Sequence, residues 1–307
     1  MRVSRHPYET EHPVTEHLAP GTHTVELDGL VQRYHVHGSG PVCVAHSGGP
    51  GIDWEYLRMP LVEEQFTVVY PEPIGTGGSS RLATHPDGYT RDRYVRAVLA
   101  LLDHLGLAKT LFLGHSHGGF VAQRLALTHP ERVSGIVLYD SAPVVGAEHG
   151  EELMRQLEEY AARSEGDSGL PDVLAAFQSL GSLSSDEDVT KAVRGILPAY
   201  FADFRGRFAE FGALQGQVSG VYISGRDADG TPELFDDRPV LNTIGVPALV
   251  VVGRYDVICG VRWGRELHDG IPGSRLVVLE HSGHFGHLEE PGLFADAVVG
   301  FAKGLDH

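Results

Sequence analysis

The stretch Thr110-Leu-Phe-Leu-Gly-His-Ser-His-Gly-Gly119 decides how the rest of the chain is read. Thr110–Leu113 is apolar and predicts a strand, and Gly119–Leu127 predicts a helix. Between them lies G-x-S-x-G, at Gly114, Ser116 and Gly118. Three residues of a short pattern carry little by themselves, but a strand before and a helix after are the setting the motif requires. A sharp strand-to-helix turn holds such a serine in a strained conformation, and flanking glycines remove the Cβ atoms that would clash there. The Ser116 hydroxyl then stands at a helix N-terminus, where backbone N–H groups favour developing negative charge. The plainer reading is a serine that only caps the helix. The rest of the chain, taken in order, argues for a nucleophile instead. The backbone N–H of His117 is expected to form half of an oxyanion hole, and His115 to be packed or hydrogen-bonded locally.

Outward from this turn, strands and helices alternate. Thr22–Leu27 and Val31–Val36 flank Asp28-Gly29, a hairpin signal. Val42–Ala45 and Phe66–Tyr70 are further strands, Thr90–Leu105 is a helix with Thr90 as N-cap, and Val133–Tyr139 is a strand. Residues 1–20 lack periodicity and read as an arm. Alternation stops near Ala142. Helical periodicity follows over Glu151–Arg163, Asp172–Leu180 and Asp186–Phe204. Alternation resumes with a strand at Ala248–Val252, a helix near Val261–Leu267, a strand at Arg275–Leu279 and a helix at Pro291–Lys303. The expected architecture is one mostly parallel α/β sheet with helices on both faces, core residues 1–142 and 241–307, and an inserted helical cap at 143–240. In such sheets ligands bind beyond the carboxyl ends of the strands. The unusual residues lie there, after Ala45, Leu113, Val252 and Leu279.

A serine hydroxyl needs a base. Of eighteen histidines, His284 is placed best, in Ser-Gly-His-Phe after the last strand. The base needs a carboxylate to fix its tautomer. Asp256, after Ala248–Val252, completes the chain order Ser, Asp, His; Asp140, after Val133–Tyr139, competes for the role. Gly-rich Ala45-His-Ser-Gly-Gly-Pro-Gly51 is expected to supply the second oxyanion N–H, from Gly49 or, failing that, Gly48. It lacks the endings of a phosphate-binding loop. His281 and His287, without a carboxylate or cysteine set beside them, do not read as a metal site.

Composition narrows the class. The chain has 307 residues, 42% hydrophobic and 21% charged, enough for a core without disulfide or metal. A net charge of −17 argues against a nucleic-acid partner. Two cysteines exclude a disulfide framework and fit a reducing, cytoplasmic setting. No segment has signal-peptide character or spans a membrane. A small-molecule substrate is expected, no cofactor or metal is implied, and nothing specifies an oligomeric state.

These motifs together resemble the α/β-hydrolase superfamily, and within it the proline iminopeptidase-like group, over residues 22–142 and 240–303. Ser47-Gly-Gly-Pro-Gly51 is similar to that group's His-Gly-Gly-Pro-Gly, with Ser47 in place of His. Gly75-Thr-Gly-Gly-Ser79 resembles the end of its Asp-x-Arg-Gly-x-Gly-x-Ser turn, with Glu72 and Ile74 replacing the acid and the arginine. The resemblance implies the α/β-hydrolase fold with a triad of Ser116, Asp256 and His284. His117 stands where the group usually has Trp. For the group's cap acids, which hold a substrate's amino terminus, Glu210 and Asp203 are candidates, in a helical cap rich in Glu that offers many such residues by chance. Tyr200, Phe201, Phe204, Phe208, Phe211 and Tyr222, with Tyr200, Phe204 and Phe208 foremost, are expected either to line an apolar pocket over Ser116 or to form the cap's own core. The expected activity is a serine hydrolase acting on an ester, lactone or amide of a small, largely apolar molecule. A lyase or carbon–carbon bond hydrolase using the same residues is the alternative.

Overall fold

A computed structural model describes residues 16–305, so residues 1–15 of the expected arm lie outside the described residues. The first strands, β1 (Gly21–Leu27) and β2 (Leu30–Gly38), pair antiparallel. Asp28 and Gly29 turn between them with φ of 52° and 75°, the left-handed pair that a two-residue hairpin needs. Then come β3 (Val42–His46), a short α1 (Pro60–Glu63), β4 (Thr67–Pro71), α2 (Arg91–His104), β5 (Thr110–His115), α3 (His117–Thr128) and β6 (Val133–Tyr139). Thr90 caps α2, its hydroxyl accepting the Arg93 N–H at 3.2 Å.

After a two-residue β7 (Val144–Val145) the chain forms four helices: α4 (Ala147–Arg163), α5 (Leu170–Ser179), α6 (Asp186–Ile196) and α7 (Phe208–Gln217). The expected single helix over Asp186–Phe204 is shorter. It ends at Ile196 and continues as a 3₁₀ turn, Leu197–Tyr200. Pro198 is the reason, since it has no N–H to continue the ladder and its ring crowds the preceding turn. The two-residue β8 (Phe235–Asp236) pairs with β7, and the chain closes with β9 (Ala248–Gly253), α8 (Val261–Gly270), β10 (Arg275–Leu279), α9 (Gly286–Glu289) and α10 (Pro291–Ala302).

The sheet order is β1-β2-β4-β3-β5-β6-β9-β10, parallel from β4 to β10. Alternate residues of the central strands go to opposite faces. Leu111, Leu113, Val137 and Val251 join a core with Phe294, Val298 and Phe301 of α10. Phe112, Ile136, Leu138 and Val250 join another with residues of α2, α3 and α8. Every residue of β5 and β9 is buried, as helices on both faces require.

Two backbone seams tie the helical layer to the sheet edge. On one side Val221 N–H donates to Gly51 O at 2.8 Å, beside an Ile52–Gly220 bridge. On the other, His284 N–H donates to Tyr200 O at 2.6 Å. Among the described residues no helix is long and apolar enough to cross a membrane.

Candidate active site

Ser116 occupies the turn between β5 and α3 with φ 53° and ψ −116°. Such a conformation costs of order 1–3 kcal/mol for a residue with a Cβ and persists only where its surroundings hold it. They do so here. Ser116 N–H donates to Tyr139 O at 2.8 Å, and its carbonyl accepts from Gly119 N at 2.9 Å and from Ser141 Oγ at 3.0 Å. Gly118 is required by contact: a Cβ there would lie 2.3 Å from His46 O. The backbone N–H groups of His117 and Gly49 have no hydrogen-bond partner among the described residues.

His284 and Asp256 meet beside this turn. The loop after β9 carries Asp256, fully buried, and the loop after β10 carries His284, 3% exposed. His284 Nδ1 lies 2.9 Å from Asp256 Oδ2, although the approach is off the line of a good N–H···O bond. The other carboxylate oxygen of Asp256 accepts Ile258 N–H at 2.8 Å, which fixes its plane.

Asp140, the rival acid, is also buried. Its φ is 46°, its N–H donates to Val251 O at 2.8 Å, and its Oδ1 accepts Gly253 N–H at 2.8 Å. Burial, followed by the charge of Asp256, pushes its carboxyl well above the usual range. Two adjacent buried carboxyls do not both ionise. The charged form of Asp140 is disfavoured in this place, and it is Asp256 whose Oδ2 faces the imidazole.

Ser116 and His284 open into one cavity of about 320 Å³. Its walls include Ile52, Tyr56, Leu153, Leu180, Leu183, Val189, Val193, Ile196, Tyr200, Val218, Ile223 and Ile258. Among the described residues, no Asp, Glu, Lys or Arg lines it. Of the aromatic residues expected over Ser116, Tyr200 and Tyr222 line the cavity, the ring of Tyr200 lying 4.9 Å from that of His284. Phe204 and Phe208 do not, which corrects that expectation. Phe204 packs 5.4 Å from Phe201 inside the core, and Phe208 is 58% exposed. The break at Pro198 turns this part of the chain away from the cavity. The wall comes instead from Val189, Val193 and Ile196, a stripe at helical spacing along α6 that the sequence displays. Glu210 pairs with Arg207 at the surface, and Asp203 caps the Gly206 N–H at 2.8 Å. Neither reaches the cavity.

Glu72, the replacement acid of the 72–79 turn, accepts from the Gly78 N–H and lies 2.7 Å from His35 Nε2. It braces the turn from beneath. Two further groups escaped the sequence reading. Tyr56 sits in a single 3₁₀ turn, Glu55–Leu57, too short to show periodicity, and Glu289 joins the helical layer to the base loop, accepting Ala202 N–H at 2.9 Å and Gly283 N–H at 2.6 Å.

Among the described residues, the grouping with metal-ligand spacing is His115, Asp140 and His284. Both ring nitrogens of His115 are already engaged, whereas Asp140 Oδ2 has no hydrogen-bond partner among the described residues. His115 Nδ1 meets Tyr56 Oη and its Nε2 meets His284 O, while His284 Nδ1 faces Asp256. His287 is similarly occupied, by Tyr139 Oη and Tyr56 O.

Residues 40–291 match the family model described as alpha/beta hydrolase fold. Among curated relatives, the chain is 28% identical over 261 residues to 3-oxoadipate enol-lactonase 2 of Acinetobacter baylyi, covering 84% of this chain and 87% of that protein. It is 28% identical over 285 residues to 2-hydroxymuconate semialdehyde hydrolase of Pseudomonas sp. strain CF600, covering 91% and 92%. It is 27% identical over 289 residues to a proline iminopeptidase of Saccharolobus solfataricus, covering 87% and 86%.

Proposed function

Because the chain belongs to the α/β hydrolase fold family, and is a hydrolase of that fold, we propose that it is a serine hydrolase that cleaves neutral, apolar esters or lactones through an acyl-enzyme. The single observation that carries this reading is a cavity over Ser116 and His284 on whose walls, among the described residues, no Asp, Glu, Lys or Arg stands. An unpaired charge taken into such a site costs several kcal/mol. Substrates named as oxoadipate or hydroxymuconate compounds would bring carboxylates with no cation to receive them. An aminopeptidase substrate would bring an ammonium with no acid to hold it. The volume, near the lower end of the ~300–1,000 Å³ typical of ligand pockets, suits a small acyl chain.

The chemistry follows from the geometry. His284 takes the Ser116 proton through the ring nitrogen opposite Asp256, and Ser116 Oγ attacks the carbonyl. The N–H groups of Gly49 and His117 receive the oxyanion. The imidazolium formed is stabilised by Asp256, 2.9 Å from Nδ1. It then protonates the departing alkoxide, and water activated by the same imidazole releases the acyl group.

Labelling with a fluorophosphonate probe tests the nucleophile: it is expected in the native protein and absent in Ser116→Ala. A panel of p-nitrophenyl esters from acetyl to octanoyl, each compared with an analogue bearing a terminal carboxylate or ammonium, tests the substrate class. Neutral esters are expected to exceed their charged analogues by at least ~100-fold in kcat/KM, the factor for about 2.7 kcal/mol. Equal turnover of charged esters would refute the reading.

A further inference from the structure

The proton transfers above leave a buried hydrogen-bond chain unused. Gly48 N–H donates to the Tyr56 hydroxyl at 2.7 Å, and that hydroxyl lies 2.6 Å from His115 Nδ1. His115 Nε2 lies 2.9 Å from the carbonyl oxygen of His284. A carbonyl only accepts, so Nε2 carries the ring proton. Burial, reinforced by His284 and His287, holds the His115 imidazole well below the usual range, so the ring is neutral and Nδ1 keeps its lone pair. Tyr56 therefore donates to Nδ1 and accepts from Gly48. Every bond in the chain has one direction, and the chain links three elements: the Gly-rich loop after β3, the nucleophile turn and the base loop.

Tyr56 is itself pinned. His287 Nε2 donates to the Tyr56 carbonyl at 2.8 Å, and His287 Nδ1 accepts from the Tyr139 hydroxyl at 2.9 Å. Gly48 is pressed against the nucleophile, since a Cβ there would lie 3.0 Å from Ser116 Cβ and 2.9 Å from Tyr56 Oη. With the Gly48 amide occupied by Tyr56, the next amide is the one left for a ligand. Gly49 lines the cavity, and its N–H has no partner among the described residues.

We propose that Tyr56 and His115 are positioning residues for the oxyanion hole: by holding the Gly48 N–H, they orient the 48–49 turn so that the Gly49 N–H faces the carbonyl attacked by Ser116. This inference rests on the Ser116 reading above. It also assigns a role to the residue between Gly114 and Ser116, which the motif leaves open. Loss of a whole oxyanion donor lowers kcat by ~10²–10³. Loosening one is expected to lower it by about 10–100-fold.

Tyr56→Phe removes only the hydroxyl. The expected result is a kcat lower by about 10–100-fold on a neutral ester with KM within about threefold, because the donor acts in the transition state. Affinity for an alkyl boronic acid, which mimics the tetrahedral intermediate, is expected to fall by the same factor. A merely structural role would lower Tm while leaving kcat and boronate affinity of the folded protein unchanged, and that outcome overturns the proposal. His115→Phe, which removes the acceptor of the Tyr56 proton, carries the same expectation should Tyr56→Phe not fold. A readout that needs no turnover separates this inference from the substrate reading. In ¹⁵N spectra of the native protein, a proton on His115 Nε2 is expected, and a proton on Nδ1 refutes the chain.

Discussion

The carboxyl edge of the sheet holds its functional groups on turns of the backbone, whereas the helical layer above it presents side chains from the face of a helix. At the edge, Ser116 and Asp140 take φ of 53° and 46°, and each donates its N–H to the carbonyl of a neighbouring strand residue, Tyr139 or Val251. These positions are set by main-chain bonds on both sides of the turn. In the helical layer the cavity wall is a stripe of Val189, Val193 and Ile196, held by packing alone. The difference separates two tasks. Bond-making geometry belongs to the edge, where a displaced turn disturbs every partner. Choice of substrate belongs to the layer, where a side chain can change size without moving its backbone.

The sharpest way to break this division is at the two acids. Asp256→Asn is expected to lower kcat by about 10⁴, the effect of losing the group that fixes the base's tautomer. Asp140→Asn, at a carboxyl that burial pushes toward its neutral form and that does not face the imidazole, is expected to stay within about tenfold of the native rate. Steady-state ester hydrolysis measures both, and the reverse order would exchange the roles of the two residues. A smaller effect is expected in the layer. Ile196→Phe should lower kcat/KM for an octanoyl ester by about 10–100-fold and leave an acetyl ester within threefold, whereas Phe208→Ala, at the exposed surface, should change neither by more than about twofold. A loss of acetyl-ester turnover in Ile196→Phe would show that the layer also shapes the chemistry.

The smallest expected effect is where the two regions join. Burial raises the Glu289 carboxyl to about 7, opposed by the N–H groups of Gly283 and Ala202 and by Arg207. A carboxyl whose folded pKa is raised favours the folded state most below its ordinary value, near 4.3, and that contribution is lost as pH rises through about 7. At 1.36 kcal/mol per unit over about 2.7 units the ceiling is near 4 kcal/mol, and about 2.5 kcal/mol of it is expected between pH 5 and 8. Urea unfolding at the two pH values should show this decline in the native protein and a flatter profile in Glu289→Gln. Parallel profiles would remove Glu289 as the source.

The edge was legible in the sequence because its signals are local. Gly114 and Gly118 flank Ser116, apolar runs precede each turn, and Asp256 and His284 follow their strands in order. The layer was legible only as helices. Which aromatic residues face Ser116 depends on where α6 ends, and Pro198 ends it before the expected boundary, so Phe204 turns into the core and Phe208 to the surface. His115 was expected to be packed or hydrogen-bonded, but its partner Tyr56 was out of reach for a different reason. Their bond spans 59 positions and joins a loop to a strand end, and no spacing rule records such a contact.

The seams at Gly51–Val221 and Tyr200–His284 consist of main-chain groups on both partners. Their hydrogen bonds are indifferent to which side chains stand at those positions. A combinatorial library that randomises Leu180, Leu183, Val189 and Val193 would therefore sample new substrate shapes while the scaffold keeps its alignment over Ser116. Evolution of such a protein toward a new substrate has the same freedom, and it ends where the wall meets the Gly-rich loop.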